Sequence, residues 1–211
     1  MTQRDDILEA ARDIYLAEGP DGLTMRALAD EVGVTAGALY RHYESKQDVL
    51  LDVVEEAQEA MLRYLTRALE GATPEERARM ASEAYLDFAL EQRRLYEVLY
   101  ATPELIGLEK LPEEEADRAR AIRQFWRDRV AECVDVGLLE GGGREPGEVG
   151  ATLWAHSHGL ISLYHRGLLD MDEEAFRQLF RASRRRTLAG VATGEHRARL
   201  LEREERERSS A

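Results

Sequence analysis

The run VTAGALYRHYESK, Val34 to Lys46, gathers groups suited to gripping a polyanion. Four slim residues, Thr35, Ala36, Gly37 and Ala38, precede Tyr40, Arg41, His42 and Lys46. A helix starting at Thr35 would leave the N–H groups of its first turn without intrahelical partners, at the positive end of its dipole. Slim side chains let that end come close to a phosphate or a base edge. Tyr40, His42 and Lys46 can donate to backbone phosphates from just behind it. The plainer readings are local. Thr24, Thr35 and Ser45 can serve only as helix caps, Tyr40 can pack into a core, and Lys46 can be an ordinary solvated side chain.

The remaining reactive groups do not converge. His156 and His158 stand two apart and point to different faces of a helix, whereas helical metal ligands favour a spacing of four. Cys133 is the only cysteine, so it forms no internal disulfide, makes a zinc site unexpected and fits a reducing compartment. EGGGREPG lacks the strand and the G-x-x-x-x-G-K pattern of a phosphate-cradling loop. Ser157 lies between two histidines, but adjacency along one helix does not make a catalytic triad. No enzyme activity, metal or cofactor is expected. The late arginines Arg181, Arg184, Arg185 and Arg186 sit among many acids and read as a solvated or interface face.

Charge argues against a nucleic-acid partner without excluding it. The 211 residues carry a formal net charge of -13, and five basic residues face ten acidic ones in the first fifty. An acidic chain is repelled by phosphate, so any such contact must depend on where the few cations are placed. With 44% apolar residues the chain can bury a core as one or two domains. The opening MTQRDDILEAAR is acidic and amphipathic, unlike a secretion signal, and no apolar run approaches the roughly 18 residues of a membrane span. A soluble cytoplasmic protein with no membrane partner is expected.

The elements that position these groups read as helices throughout, an all-α fold. Ile7, Leu8, Ala11, Ile14 and Tyr15 form one apolar helix face, ended by Gly19-Pro20-Asp21-Gly22. Thr24 caps a helix over Met25–Val32, which Gly33 closes in the left-handed conformation, and Thr35 caps a third helix to about Tyr43. Ser45-Lys46-Gln47-Asp48 starts a long fourth helix to about Leu69. Two short helices around a glycine turn make a helix-turn-helix, whose second helix enters a major groove. Further helices are expected over Pro74–Gln92, Arg94–Ala101, Glu113–Leu139 and Glu148–Leu169, with a loop holding Pro103, Gly107 and Pro112. A last helix runs from Asp172 past Val191. The charged end, GEHRARLLEREERERSSA, is a tail or helix extension.

The run TMRALADEVGVTAGALYRHYESKQDVLLDVVE resembles the DNA-binding segment of the TetR family of bacterial transcriptional regulators. The matching features are T-x-R-x-L-A, V-G-V-T-x-G-x-L-Y-x-H and an aromatic followed by x-x-K. The resemblance implies an Ω-shaped, all-α homodimer with a DNA-binding head over residues 1–48, a ligand-binding and dimerisation body over 49–195, and a charged segment over 196–211. It assigns phosphate contacts to Thr24, Arg26, Thr35, Tyr40, His42 and Lys46, and base reading to Ala36, Gly37, Ala38 and Arg41. Two positions depart from the pattern: Ala38 replaces a hydroxyl residue, and Tyr43 replaces a phenylalanine. With alanine and glycine at the tip, Arg41 or DNA shape must carry more of the sequence preference. LWAHSHGLISLYHRGLL, with Trp154, His158 and Gly159, is similar to the W-x-x-x-H-G segment of one subgroup of the family's ligand-binding domains.

The resulting expectation is a ligand-responsive regulator, acting as a repressor on a double-stranded palindromic DNA operator. A small, largely apolar effector would be lined by Tyr85, Phe88, Tyr96, Phe125, Trp126, Trp154 and His158. Trp154, His158, Ile161 and His165 share one helix face, which reads first as core or interface. The competing expectation is an acidic helical interaction protein that keeps the head without binding DNA.

Overall fold

The computed structural model describes residues 3–100, 111–140 and 146–209. Its helices are α1 (Gln3–Gly22), α2 (Met25–Val32), α3 (Ala36–Leu39), α4 (Lys46–Thr66), α5 (Pro74–Glu91), α6 (Arg93–Leu99), α7 (Glu113–Asp135), α8 (Pro146–His165), α9 (Glu173–Ala189) and α10 (Gly194–Ser209). No strand occurs among the described residues, where the only pairing of that kind is an isolated bridge between Leu139 and Ala192. No helix among them is long and apolar enough to cross a membrane. The expected loop at Pro103 and Gly107 lies outside the described residues, as does most of EGGGR. The chain divides into two compact units, Met1–Tyr64 with Asp87–Ile122, and Leu65–Leu86 with Arg123–Ala211.

Unit 1 is built on the apolar face of α1. Ile7, Ala11 and Tyr15 are buried together with Leu23, Leu28, Leu39, Leu50 and Val53. Gly19 takes φ 72°, so regular helix stops there and the chain turns towards α2. The Thr24 hydroxyl accepts from Ala27 N–H at 3.1 Å, and Gly33 closes α2 at φ 74° with its N–H on the last carbonyls. The Thr35 hydroxyl accepts from Ala38 N–H at 3.2 Å to start α3. Regular α3 ends at Leu39, four residues short of the expected Tyr43. Arg41 and His42 bond three residues back instead, tightening the chain into turns. Ser45 and Asp48 cap α4 reciprocally: Ser45 N–H donates to Asp48 at 2.9 Å, and Asp48 N–H to Ser45 Oγ at 3.3 Å.

Unit 2 holds α5 up to Leu86, α7 from Arg123, and α8 to α10. Val130, Cys133, Leu139, Val149 and Ala192 form one buried cluster. Phe176, Phe180 and Ile161 are also buried, and Phe176 stacks on Tyr164 at 4.0 Å between ring centroids. Helix α7 stops at Asp135, short of the expected Leu139, and Gly137 turns the chain at φ 73°. The expected single last helix is two. Glu140 N–H donates to Val191 O at 2.9 Å and Thr193 N–H to Leu138 O at 3.0 Å, and this pairing holds Val191–Thr193 out of helix. Arg197 then donates to Ala189 O at 2.8 Å and Ala192 O at 3.0 Å, satisfying carbonyls at the end of α9. The charged terminal segment folds as α10 through Ser209.

Candidate functional site

The start of α3 is bare. A Cβ built on Gly37 meets nothing nearer than the Thr35 hydroxyl at 4.0 Å, and Ala36 and Ala38 beside it add one carbon each. Leu39 is the anchor: it is fully buried, while its neighbour Tyr40 is 56% exposed. Burying one leucine stabilises the fold by about 1.5–3 kcal/mol, enough to fix how this short helix is presented. Thr24, Arg26, Thr35, Gly37, Tyr40, Arg41 and His42 are exposed, and Lys46 is half-buried at the first residue of α4. The predicted phosphate and base contacts therefore lie on three consecutive pieces of chain: the α2 start, α3 with its following turns, and the α4 start. Two or three hydroxyls and a few cations there can hold a polyanion, with first-turn N–H groups at its centre.

Tyr43 shows what the phenylalanine-to-tyrosine departure does. Its ring is buried, and its hydroxyl donates to Asp52 Oδ2 at 2.8 Å. Burial, reinforced by the bond to Asp52, pushes the phenol up to about 12. Arg4 reaches the same carboxylate at 3.1 Å, and Arg12 holds Glu56 at 3.0 Å. These pairs commit two of the five basic residues of the first fifty to acids beyond them, so the cations placed around α3 are Arg26, Arg41 and Lys46.

Unit 2 encloses a cavity of about 760 Å³, within the usual range for small-molecule sites. Each helix gives it one face at helical spacing: Trp126, Arg129, Val130 and Cys133 from α7; Gly150, Leu153, Trp154 and Ser157 from α8; Arg181, Arg184, Arg185 and Leu188 from α9. Arg79, Ser82, Glu83 and Tyr85 come from α5, and His196, Arg199 and Leu200 from α10. Tyr85 meets Trp126 edge to face at 5.8 Å. Arg181 donates to Glu83 twice, each at 2.9 Å. Burial raises the Glu132 carboxyl, but bonds from Arg129 and Arg77 outweigh it and hold it below the usual range. Burial pushes the Cys133 thiol up to about 11, which leaves it protonated and inert. Burial also lowers His156, whose Nε2 lies 2.9 Å from the Ser183 hydroxyl, and lowers His196 and His158.

Of the aromatic residues expected around an effector, Tyr85, Trp126 and Trp154 line this cavity. Phe125 packs against Trp126 at 5.9 Å and lies under the Arg129 guanidinium at 4.9 Å, so it backs the wall. His158 stacks on Trp154 at 5.4 Å. Phe88 and Tyr96 are not brought to it. They belong to unit 1, where Phe88 packs on Tyr64 at 5.5 Å and Tyr96 on Tyr100 at 4.9 Å. The α9 arginines are corrected: Arg181, Arg184 and Arg185 face the cavity, and only Arg186 is exposed. Their spacing showed one shared face, but it could not show what covers that face.

Residues 7–53 match the family described as bacterial regulatory proteins, tetR family, and residues 78–187, just over half of the chain, match the tetracyclin repressor-like C-terminal domain. The chain is similar to the HTH-type transcriptional repressor KstR2 of Mycolicibacterium smegmatis, 28% identical over 136 residues that cover 63% of this chain and 65% of the relative. It is 37% identical to the nucleoid occlusion factor SlmA of Vibrio vulnificus over 89 residues, 41% of this chain and 45% of the relative. In both cases the match spans less than two thirds of the relative's own length. A solved structure of the ketosteroid transcriptional regulator KstR2 of Mycobacterium tuberculosis has a TM-score of 0.73 at 18% identity, covering 91% of this chain and 96% of that one. At that identity the likeness is one of fold.

Proposed function

The chain belongs to the TetR family of DNA-binding bacterial regulatory proteins, and from that premise we propose that it represses transcription as a homodimer on a palindromic operator. A small effector in the unit 2 cavity releases it. The observation that carries the DNA half is the bare first turn of α3, open around Gly37 and flanked by exposed Tyr40, Arg41 and His42. Thr24, Arg26, Thr35, Tyr40, His42 and Lys46 hold phosphates, while Ala36, Gly37, Ala38 and Arg41 meet base edges. Two heads present α3 to major grooves about 34–36 Å apart, or a multiple of that spacing. An effector that prefers a conformation with the wrong head spacing lowers DNA affinity by that differential preference.

The repressing sense is supported by the relative described as a transcriptional repressor. Pairing of α8 and α9 across a two-fold axis is supported by the exposed apolar side chains Leu163 on α8 and Leu168 just after it. Leu163→Glu should then give monomers in light scattering that no longer bind the operator, and a monomeric parent chain ends the two-half-site reading. Selection of bound DNA from random duplexes tests the whole. It should enrich a palindrome whose affinity falls steeply with salt. The net charge of -13 favours a second reading, an acidic interaction protein that does not bind DNA, and failure to enrich any sequence would select it.

A further inference from the structure

We infer that the unit 2 cavity takes an amphipathic anion, a ligand with an apolar body and a carboxylate or phosphate head. The inference rests on the proposed reading of this cavity as the effector site and specifies its chemistry. Six arginines line the cavity against three glutamates, an excess of three positive charges in a chain of net charge -13. Two of the three acids there have local duties. Glu83 accepts from Arg181, and the Glu76 carboxylate accepts from the N–H groups of Ala72 and Thr73 at 2.9 and 3.3 Å. Glu132, outside the lining, accepts from Nε and Nη2 of Arg129, two bonds along one guanidinium edge. Arg79 has no hydrogen bond or ion pair among the described residues. Arg79 is solvent-exposed, whereas Arg184 and Arg185 are half-buried in the wall, where a cation loses hydration that an anionic partner best recovers.

The apolar half is equally specific. Trp126, Trp154, Val130, Leu153 and Leu188 face the same space as the arginines, so one ligand can meet both. A neutral apolar ligand would leave the positive excess of the lining unbalanced, and a cationic one would add to it. The arginine face of α9 runs Arg181, Arg184, Arg185 and then Leu188, which places charge and apolar contact in sequence along one helix.

The chain carries its own reporter, because its two tryptophans, Trp126 and Trp154, both line the cavity. Tryptophan fluorescence of the full chain would be titrated with dodecanoate, dodecyl phosphate, 1-dodecanol and dodecyltrimethylammonium, below their micelle-forming concentrations. The two anions should bind at least about tenfold more tightly than the alcohol, and the ammonium compound most weakly. The tighter of the two anions identifies the head group, and either order supports the inference. Arg79→Gln and Arg185→Gln should each weaken the anions by about tenfold and move the alcohol by less than about twofold. Equal binding of alcohol and anions, preference for the ammonium compound, no saturable anion binding, or anion binding unchanged in both variants overturns the inference. Operator binding is measured on the same preparations. DNA binding without charge preference removes this inference alone, whereas charge preference without DNA binding removes the regulatory reading alone.

Discussion

The start of α3 and the unit 2 cavity use charge in opposite ways. At α3 the groups on offer are backbone N–H groups, exposed hydroxyls and a few cations on slim, solvent-facing backbone. The cavity gathers six arginines, four of them buried or half-buried, among aromatic and aliphatic side chains. A chain of net charge -13 would be expected to spend its cations on the surface meant for phosphate. It does so only sparingly. The lesson is that net charge sets solubility and association, while placement decides what each surface can hold.

The contrast predicts that the cavity wall is coupled to folding and the α3 surface is not. Phe180 lies on α9 at 1% exposure, on the helix that carries three of the cavity arginines. Phe180→Ala should cost about 3–5 kcal/mol of stability by urea unfolding, and a loss near zero would separate the wall from the core. Gly37→Leu should do the reverse. It should keep or raise the melting temperature, since glycine inside a helix costs about 1 kcal/mol relative to alanine, yet weaken operator binding by roughly a hundredfold through clash and lost groove contacts. An unfolded Gly37→Leu protein would place that position against the interior, and normal DNA affinity would move the reading surface elsewhere.

Smaller effects sharpen the comparison. Lys46→Ala should flatten the salt dependence of DNA binding by about one unit of slope, and Tyr40→Phe should weaken cognate and unrelated duplexes by similar factors. Unchanged binding across a salt series removes both residues from the contact surface. The mildest effect concerns pH. Burial holds His156, His158 and His196 below the usual imidazole value of 6.5, so the unfolded chain takes up protons there before the folded one does. Stability is complete above about pH 6.5 and declines as pH falls through that value towards the lowered folded values. His196→Asn should flatten the decline in urea midpoint between pH 7.5 and 5.5 without changing the salt slope of DNA binding. A midpoint that rises on acidification contradicts the buried-neutral histidines.

The sequence by itself determined the elements whose signals are local. Thr24, Gly33 and Thr35 act within three or four residues of their own positions, so the boundaries of α2 and the start of α3 could be read from residue type. The ordered motif around Val34–Lys46 identified the head for the same reason. Only the tertiary structure decided what depends on distant partners. The break between α9 and α10 comes from Leu138–Glu140 holding Val191–Thr193, residues more than fifty positions away. The departure at Tyr43 was visible as a residue type, but its partner was not: the ring is buried and its hydroxyl donates to Asp52, nine residues on. Tyr85 and Phe88, three apart on α5, lie in different units, a separation that helical periodicity alone does not report. Spacing gave Arg181, Arg184 and Arg185 a common face. What covered that face was decided by four other helices turning theirs to the same space, because periodicity fixes direction around one axis and packing alone fixes what lies in that direction.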